Sequence, residues 1–193
     1  MAGTATTHEQ ILDLAQRFIQ ERGYNGFSFR DLANGVGVKS SSIHYYYASK
    51  THLALAVTSR YRKNFTAATA QLRKEIPAAP DLLRAYAQIF KSTLEDGKKV
   101  CLCAMLASDR DSVEDSVTDQ VREFFADQHR WLSSVVTDGI SQGTIRGDVC
   151  PDNFAVLFFS ALVGAMMVAN ANDNSADIEL VANQMIGLVR QAP

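Results

Sequence analysis

With 193 residues and 47% hydrophobic content, the chain holds enough apolar material to bury a sizeable core in one large domain or two small ones. Its formal net charge of −2 advertises no polyanion partner for the molecule as a whole. The charge is uneven, however: residues 1–65 carry eight Lys/Arg against four Asp/Glu, and the remainder carries 11 basic and 17 acidic groups, an asymmetry expected where one half faces phosphate. In chain order, Thr7-His-Glu-Gln10 has a capping-box pattern that opens a helix. Its apolar positions Ile11, Leu12, Leu14, Ala15, Phe18 and Ile19 share one stripe, and Gly23 ends it. Ser28-Phe-Arg-Asp31 opens a short second helix in the same manner, closing near Gly35. A third begins at Lys39 or Ser40, and Ser49 can cap a fourth that runs to about Glu75. Pro77 and Pro80 then break the chain and mark a linker or domain boundary.

Beyond the prolines, periodicity predicts helices over 81–96, 100–109, 113–142, 152–171 and 176–191. No segment alternates with period two, so the expected fold is all-α with about nine helices. The most apolar run, Phe154 to Ala169, covers 16 residues and falls short of the roughly 30 Å hydrocarbon layer, which predicts a buried helix and no membrane partner.

The most informative stretch runs from Phe29 to Lys50. Ala33 is small where two steeply crossed helices must approach, and Gly37, four residues on, supplies the positive φ of a tight turn. Leu32, Val36, Val38, Ile43 and Tyr46 can lock the pair together. The outward remainder of the second helix, Lys39, Ser40, Ser41, Ser42, His44 and Tyr45, consists almost wholly of short polar groups, hydroxyls and an imidazole. Such a face suits hydrogen bonding to base edges and phosphates in a major groove.

Residues 8–55 closely resemble the DNA-binding domain of TetR/AcrR regulators, through Val38-Lys-Ser-Ser-Ser-Ile-His-Tyr-Tyr-Tyr-Ala-Ser-Lys50-Thr-His-Leu53. His44 stands where that family usually has Tyr, and Ala48 where Pro is commoner. The resemblance implies a helix-turn-helix domain over residues 5–65 and a helical ligand-binding and dimerisation domain over 66–193. It also implies that Arg30, Lys39, Ser40, Ser41, Ser42, His44 and Tyr45 probe double-stranded operator DNA, with Tyr46, Lys50 and Thr51 on the phosphate backbone.

A two-fold dimer places two recognition helices one DNA turn apart. Ser160/Gly164 and Ala161/Ala165 recur at four-residue spacing, and the last helix adds a stripe of Leu180, Val181, Met185, Ile186 and Leu188, so a homodimer interface is expected there. The aromatic and sulfur-bearing residues Phe90, Cys103, Met105, Phe125, His129 and Phe158, with Phe124, Trp131 and Phe159, are candidates for the small-molecule effector pocket that the resemblance implies. An effector acts allosterically if it favours one separation of the two reading heads. By the same resemblance the chain is a repressor released by that effector.

The odd number of cysteines, without a secretory signal, fits a reducing cytoplasm. Two readings of Cys101, Cys103 and Cys150 stand at this stage: small buried hydrophobes, or sensors of oxidants or electrophiles. No nucleophile elbow, Gly-rich phosphate loop or metal-binding His/Glu pattern is present, and His8, His44, His52 and His129 are scattered. Neither an enzyme nor a cofactor or metal is therefore expected.

Overall fold

The computed structural model describes residues 6–191. Its helices are α1 (Thr7–Arg22), α2 (Phe29–Val36), α3 (Ser40–Tyr46), α4 (Lys50–Glu75), α5 (Ala79–Glu95), α6 (Leu102–Ser108), α7 (Asp115–Ser141), α8 (Pro151–Asn172) and α9 (Ala176–Val189). Short 3-10 turns follow α1 at Tyr24–Gly26 and α6 at Arg110–Ser112. There is no strand among the described residues, only an isolated antiparallel bridge between Ile145 and Arg190. The all-α expectation holds.

Local chemistry accounts for the helix ends. Thr6, one residue earlier than expected, caps α1: its hydroxyl accepts from the Glu9 amide at 3.3 Å while the Glu9 carboxylate accepts from the Thr6 amide at 2.8 Å. A carboxylate at the third helical position serves this reciprocal box better than Gln10, because it also complements the positive end of the helix. α5 begins at Ala79 rather than at residue 81 because Pro80 lies in its first turn, where a missing amide proton costs no hydrogen bond.

α8 corrects the length argument made from sequence. At 22 residues it is about 33 Å long, and by length and composition it could cross a membrane. Instead Phe154, Phe158, Leu162 and Met166 line a face of α8 buried within the protein.

Backbone contacts divide the chain into two compact units. The first comprises residues up to Lys63 together with Leu102–Glu123, so α6 and the start of α7 join the N-terminal helices. The second comprises Asn64–Cys101 and the chain from Phe124 onward. In the second unit α9 packs on both α8 and α5, and the core is aromatic. Tyr86 is fully buried, stacks on Trp131 with centroids 5.1 Å apart, and donates its hydroxyl proton to Gln128 Oε1 at 3.1 Å. Burial holds the Tyr86 phenol well above its ordinary pKa, so it acts as a neutral donor.

Candidate nucleic-acid interface

The first unit is a helix-turn-helix built on α1. The capping box of α2 forms as its sequence predicts: Ser28 Oγ accepts from the Asp31 amide, and the Asp31 carboxylate accepts from the Ser28 amide at 2.7 Å and hydroxyl at 2.6 Å. These bonds hold the Asp31 carboxyl below its usual range. α2 ends at Val36, near Gly35 as expected. Gly37, at φ +78°, is the left-handed cap, its amide and that of Val38 both donating to the Ala33 carbonyl. A Cβ on Gly37 would meet nothing within 4 Å, so its role is conformational. Gly35 acts differently, since a Cβ there would lie 2.4 Å from Leu14 Cδ2. Gly35, exposed itself, leaves room for the Leu14 side chain of α1, while Ala33 is the small residue buried in the core.

Ile43 is the fully buried residue of α3 and anchors it to the frame. Lys39, Ser40, Ser41, His44, Tyr45 and Tyr46 are exposed and Ser42 is half-buried, so the short polar side chains point away from the core. Tyr45 is 85% exposed, an unusual position for so large a ring. The aromatic groups on this side touch in sequence: Phe29 meets His44 edge-on at 4.9 Å, and Tyr45 meets Tyr46 at 5.3 Å. His8 on α1 lies 5.6 Å from Tyr46, and its Nε2 is 2.9 Å from the Tyr47 hydroxyl. Arg30 is exposed on α2, and Thr51 is half-buried in the first turn of α4.

Lys50 is placed differently from the other candidates. Its ammonium donates to the Phe27 carbonyl at 2.5 Å and lies 4.3 Å from the Phe27 ring centroid and 4.8 Å from that of Tyr24. Partial burial pulls its pKa down, and the carboxylates of Asp109 and Asp31 oppose that shift. Asp109, just beyond α6, accepts the Tyr24 amide proton at 2.6 Å. Sequence offered no sign of this contact, which spans 85 residues. A second lock joins α4 to α1, where Arg60 pairs with Asp13 at 2.7 Å and donates to Gln16 Oε1 at 3.2 Å.

The candidate effector residues divide between the units. Phe90, Phe125, His129 and Phe158 belong to the second, where Phe159 gathers three of their rings: Phe90 at 6.1 Å, Phe125 at 5.6 Å and His129 at 5.5 Å. Phe158 is fully buried and stacks on Phe154 at 5.4 Å. Burial lowers the His129 pKa. Cys103, fully buried, and Met105, half-buried, lie on α6 in the first unit. Cys101 is buried and Cys150 is exposed, and none of the three cysteines is joined in a disulfide.

On the candidate dimer face Ser160 and Gly164 are exposed, whereas Ala161, Ala165 and Met185 are half-buried. Ile186 is buried and faces inward. Leu180 and Leu188 of the expected α9 stripe are exposed, and the structure adds the large exposed apolar side chains Val156, Leu157, Met167 and Val168 on α8. Their signal was present as Leu157, Ser160, Gly164 and Val168 recurring on one helical face.

Residues 11–57 match the model of the bacterial regulatory proteins of the tetR family, and residues 65–186 match a tetracyclin repressor-like C-terminal domain. A TetR-family transcriptional regulator from Agrobacterium tumefaciens superposes with a TM-score of 0.91 at 31% identity, covering 95% of this chain and 97% of that one. A TetR regulator from Legionella pneumophila gives 0.86 at 27% identity over 97% and 99%. The HTH-type transcriptional regulator TtgR of Pseudomonas putida is 18% identical over 97% of this chain and 93% of its own. With both halves matched and the reading helix set on its frame, the chain belongs to the TetR family of DNA-binding transcriptional regulators.

Proposed function

We propose that the chain is a cytoplasmic, homodimeric repressor that a small-molecule effector releases from its operator. The observation that carries this reading is the outward face of α3, where polar, hydroxyl and imidazole side chains stand exposed around a buried Ile43 anchor. On this reading Lys39, Ser40, Ser41, Ser42, His44 and Tyr45 meet base edges and phosphates. Arg30, Tyr46 and Thr51 flank them on the backbone.

The apolar face shared by α8 and α9 supports dimerisation through Ser160, Ala161, Gly164 and Ala165, with Met185 at its margin. A Cβ on Gly164 would meet nothing within 4 Å, leaving room for a second helix to approach. Two reading heads would then address half-sites one helical turn apart, about 10 base pairs.

The aromatic interior of the second unit supports an effector site around Phe90, Phe125, His129 and Phe158. The buried polar side chains Thr69 and Gln128 and the buried Tyr86 hydroxyl of that unit are all uncharged. This interior favours a neutral, largely apolar effector, because an unpaired charge would be costly to bury.

Electrophoretic retardation of the DNA upstream of the chain's own gene tests this reading. Specific retardation that weakens steeply with added salt is expected, and no retardation at low salt would refute it.

A further inference from the structure

We propose that Lys50 and Asp109 are positioning residues of the reading head: together they clamp the turn between α1 and α2, and Lys50 makes no phosphate contact. The inference rests on the chain's DNA-binding role and reassigns a cation that its motif would place on the phosphate backbone.

The clamp is built around Tyr24. On one side the Asp109 carboxylate accepts the Tyr24 amide proton at 2.6 Å and lies where a Cβ on Gly23 would stand, 2.6 Å from the same oxygen. Gly23 also takes φ +79°, so both the backbone conformation and the space require glycine. On the other side the Lys50 ammonium rests against the Tyr24 ring and against Phe27, whose carbonyl takes its proton at 2.5 Å. Tyr24 and Phe27 are themselves buried, 7% and 5% exposed, so the turn is gripped and not merely touched.

An ammonium that donates to a buried carbonyl and faces two rings has already exchanged much of its water for fixed partners. Asp109 supplies charge that favours the ammonium, and Asp31, which also favours it, is committed to the α2 cap. A phosphate would have to draw Lys50 out of this cage. The turn it holds sets where α2, and through Ala33, Gly37 and Val38 the start of α3, stands relative to α1.

The clamp and the phosphate-ligand alternative differ in their salt dependence. If the clamp positions the reading head, Asp109→Asn weakens binding by about three- to tenfold. Lys50→Met, which keeps the apolar stem, is expected to weaken binding by a similar factor while leaving the slope of log affinity against log salt unchanged. Loss of a phosphate contact would reduce that slope by about one.

The experiment is a fluorescence-anisotropy titration of upstream DNA over a salt series, using wild type, Asp109→Asn and Lys50→Met. Unchanged or stronger binding by Asp109→Asn overturns the proposal, as does a shallower slope for Lys50→Met. Hydrogen exchange without DNA gives an independent readout. Asp109→Ala is expected to accelerate exchange of the Tyr24 amide by about tenfold or more while amides in the middle of α1 keep their protection, and an unchanged Tyr24 rate also overturns the proposal. A wild type that leaves all DNA unretarded refutes the regulator reading instead, and the exchange rates then still decide whether the clamp exists.

Discussion

Gly35 of α2 faces Leu14 of α1, whose Cδ2 stands 2.4 Å from where a Cβ on residue 35 would be. Gly35→Ala therefore forces the buried Leu14 side chain to shift, at a cost of about 1 kcal/mol. Urea denaturation of Gly35→Ala, alone and with Leu14→Ala, checks this. The second substitution should relieve part of the first, and strictly additive losses would show that no clash exists. Gly37→Ala should cost about 1–2 kcal/mol in either background, because its penalty lies in the left-handed backbone and not in space.

Exposed groups on α3 should separate into two kinds. Lys39→Ala is expected to weaken binding to all DNA sequences alike and to lower the salt slope by about one. Tyr45→Ala or Ser42→Ala should instead change which base pairs are preferred, at about 1–3 kcal/mol for a specific contact. Selection from a randomised operator library compares them. A common loss without altered preference in all three would end this division of labour.

Gly164→Leu offers a clean test of dimerisation, since the added side chain points into open space within one protomer. Circular dichroism should show an intact helical fold while sedimentation shows a monomer. Operator affinity should fall with it, because a single reading head makes half the phosphate contacts. A Gly164→Leu protein that remains dimeric places the interface elsewhere.

His129 should make stability sensitive to mild acid. Burial lowers its pKa in the folded state, so the unfolded chain binds the proton more readily. The contribution is full above about pH 6.5, the ordinary imidazole value, and is lost as pH falls from there through the depressed folded value. The difference in Tm between pH 7.5 and 5.5 is therefore expected to shrink in His129→Gln, and an unchanged difference would show that the imidazole carries no such linkage.

What was legible in the sequence was what is local. The Ser28/Asp31 box, the left-handed Gly37 and the polar run after Val38 each depend on neighbours within a few positions, so residue types alone reveal them. The same locality explains the small errors. Thr6 rather than Thr7 caps α1 because the carboxylate of Glu9 outcompetes the amide of Gln10, and Pro80 lies within the first turn of α5 instead of ahead of it. Contacts across the fold left no such trace. Nothing around Asp109 marks it as the partner of Tyr24, and nothing in Ala-Ser-Lys50 reveals that the ammonium turns back toward Phe27. Nor does composition tell that Leu157 and Leu188 remain exposed while Ile186 is covered, a distinction made only by how α8, α9 and α5 pack.

The membership of Leu102–Glu123 in the first unit bears on how this regulator can be taken apart. A fragment cut near residue 65 would carry every α3 side chain and yet lack the oxygen that receives the Tyr24 proton. Transplanting its operator specificity onto another effector domain would therefore mean moving two separate stretches of chain, because the reading head is contiguous in space and discontinuous in sequence.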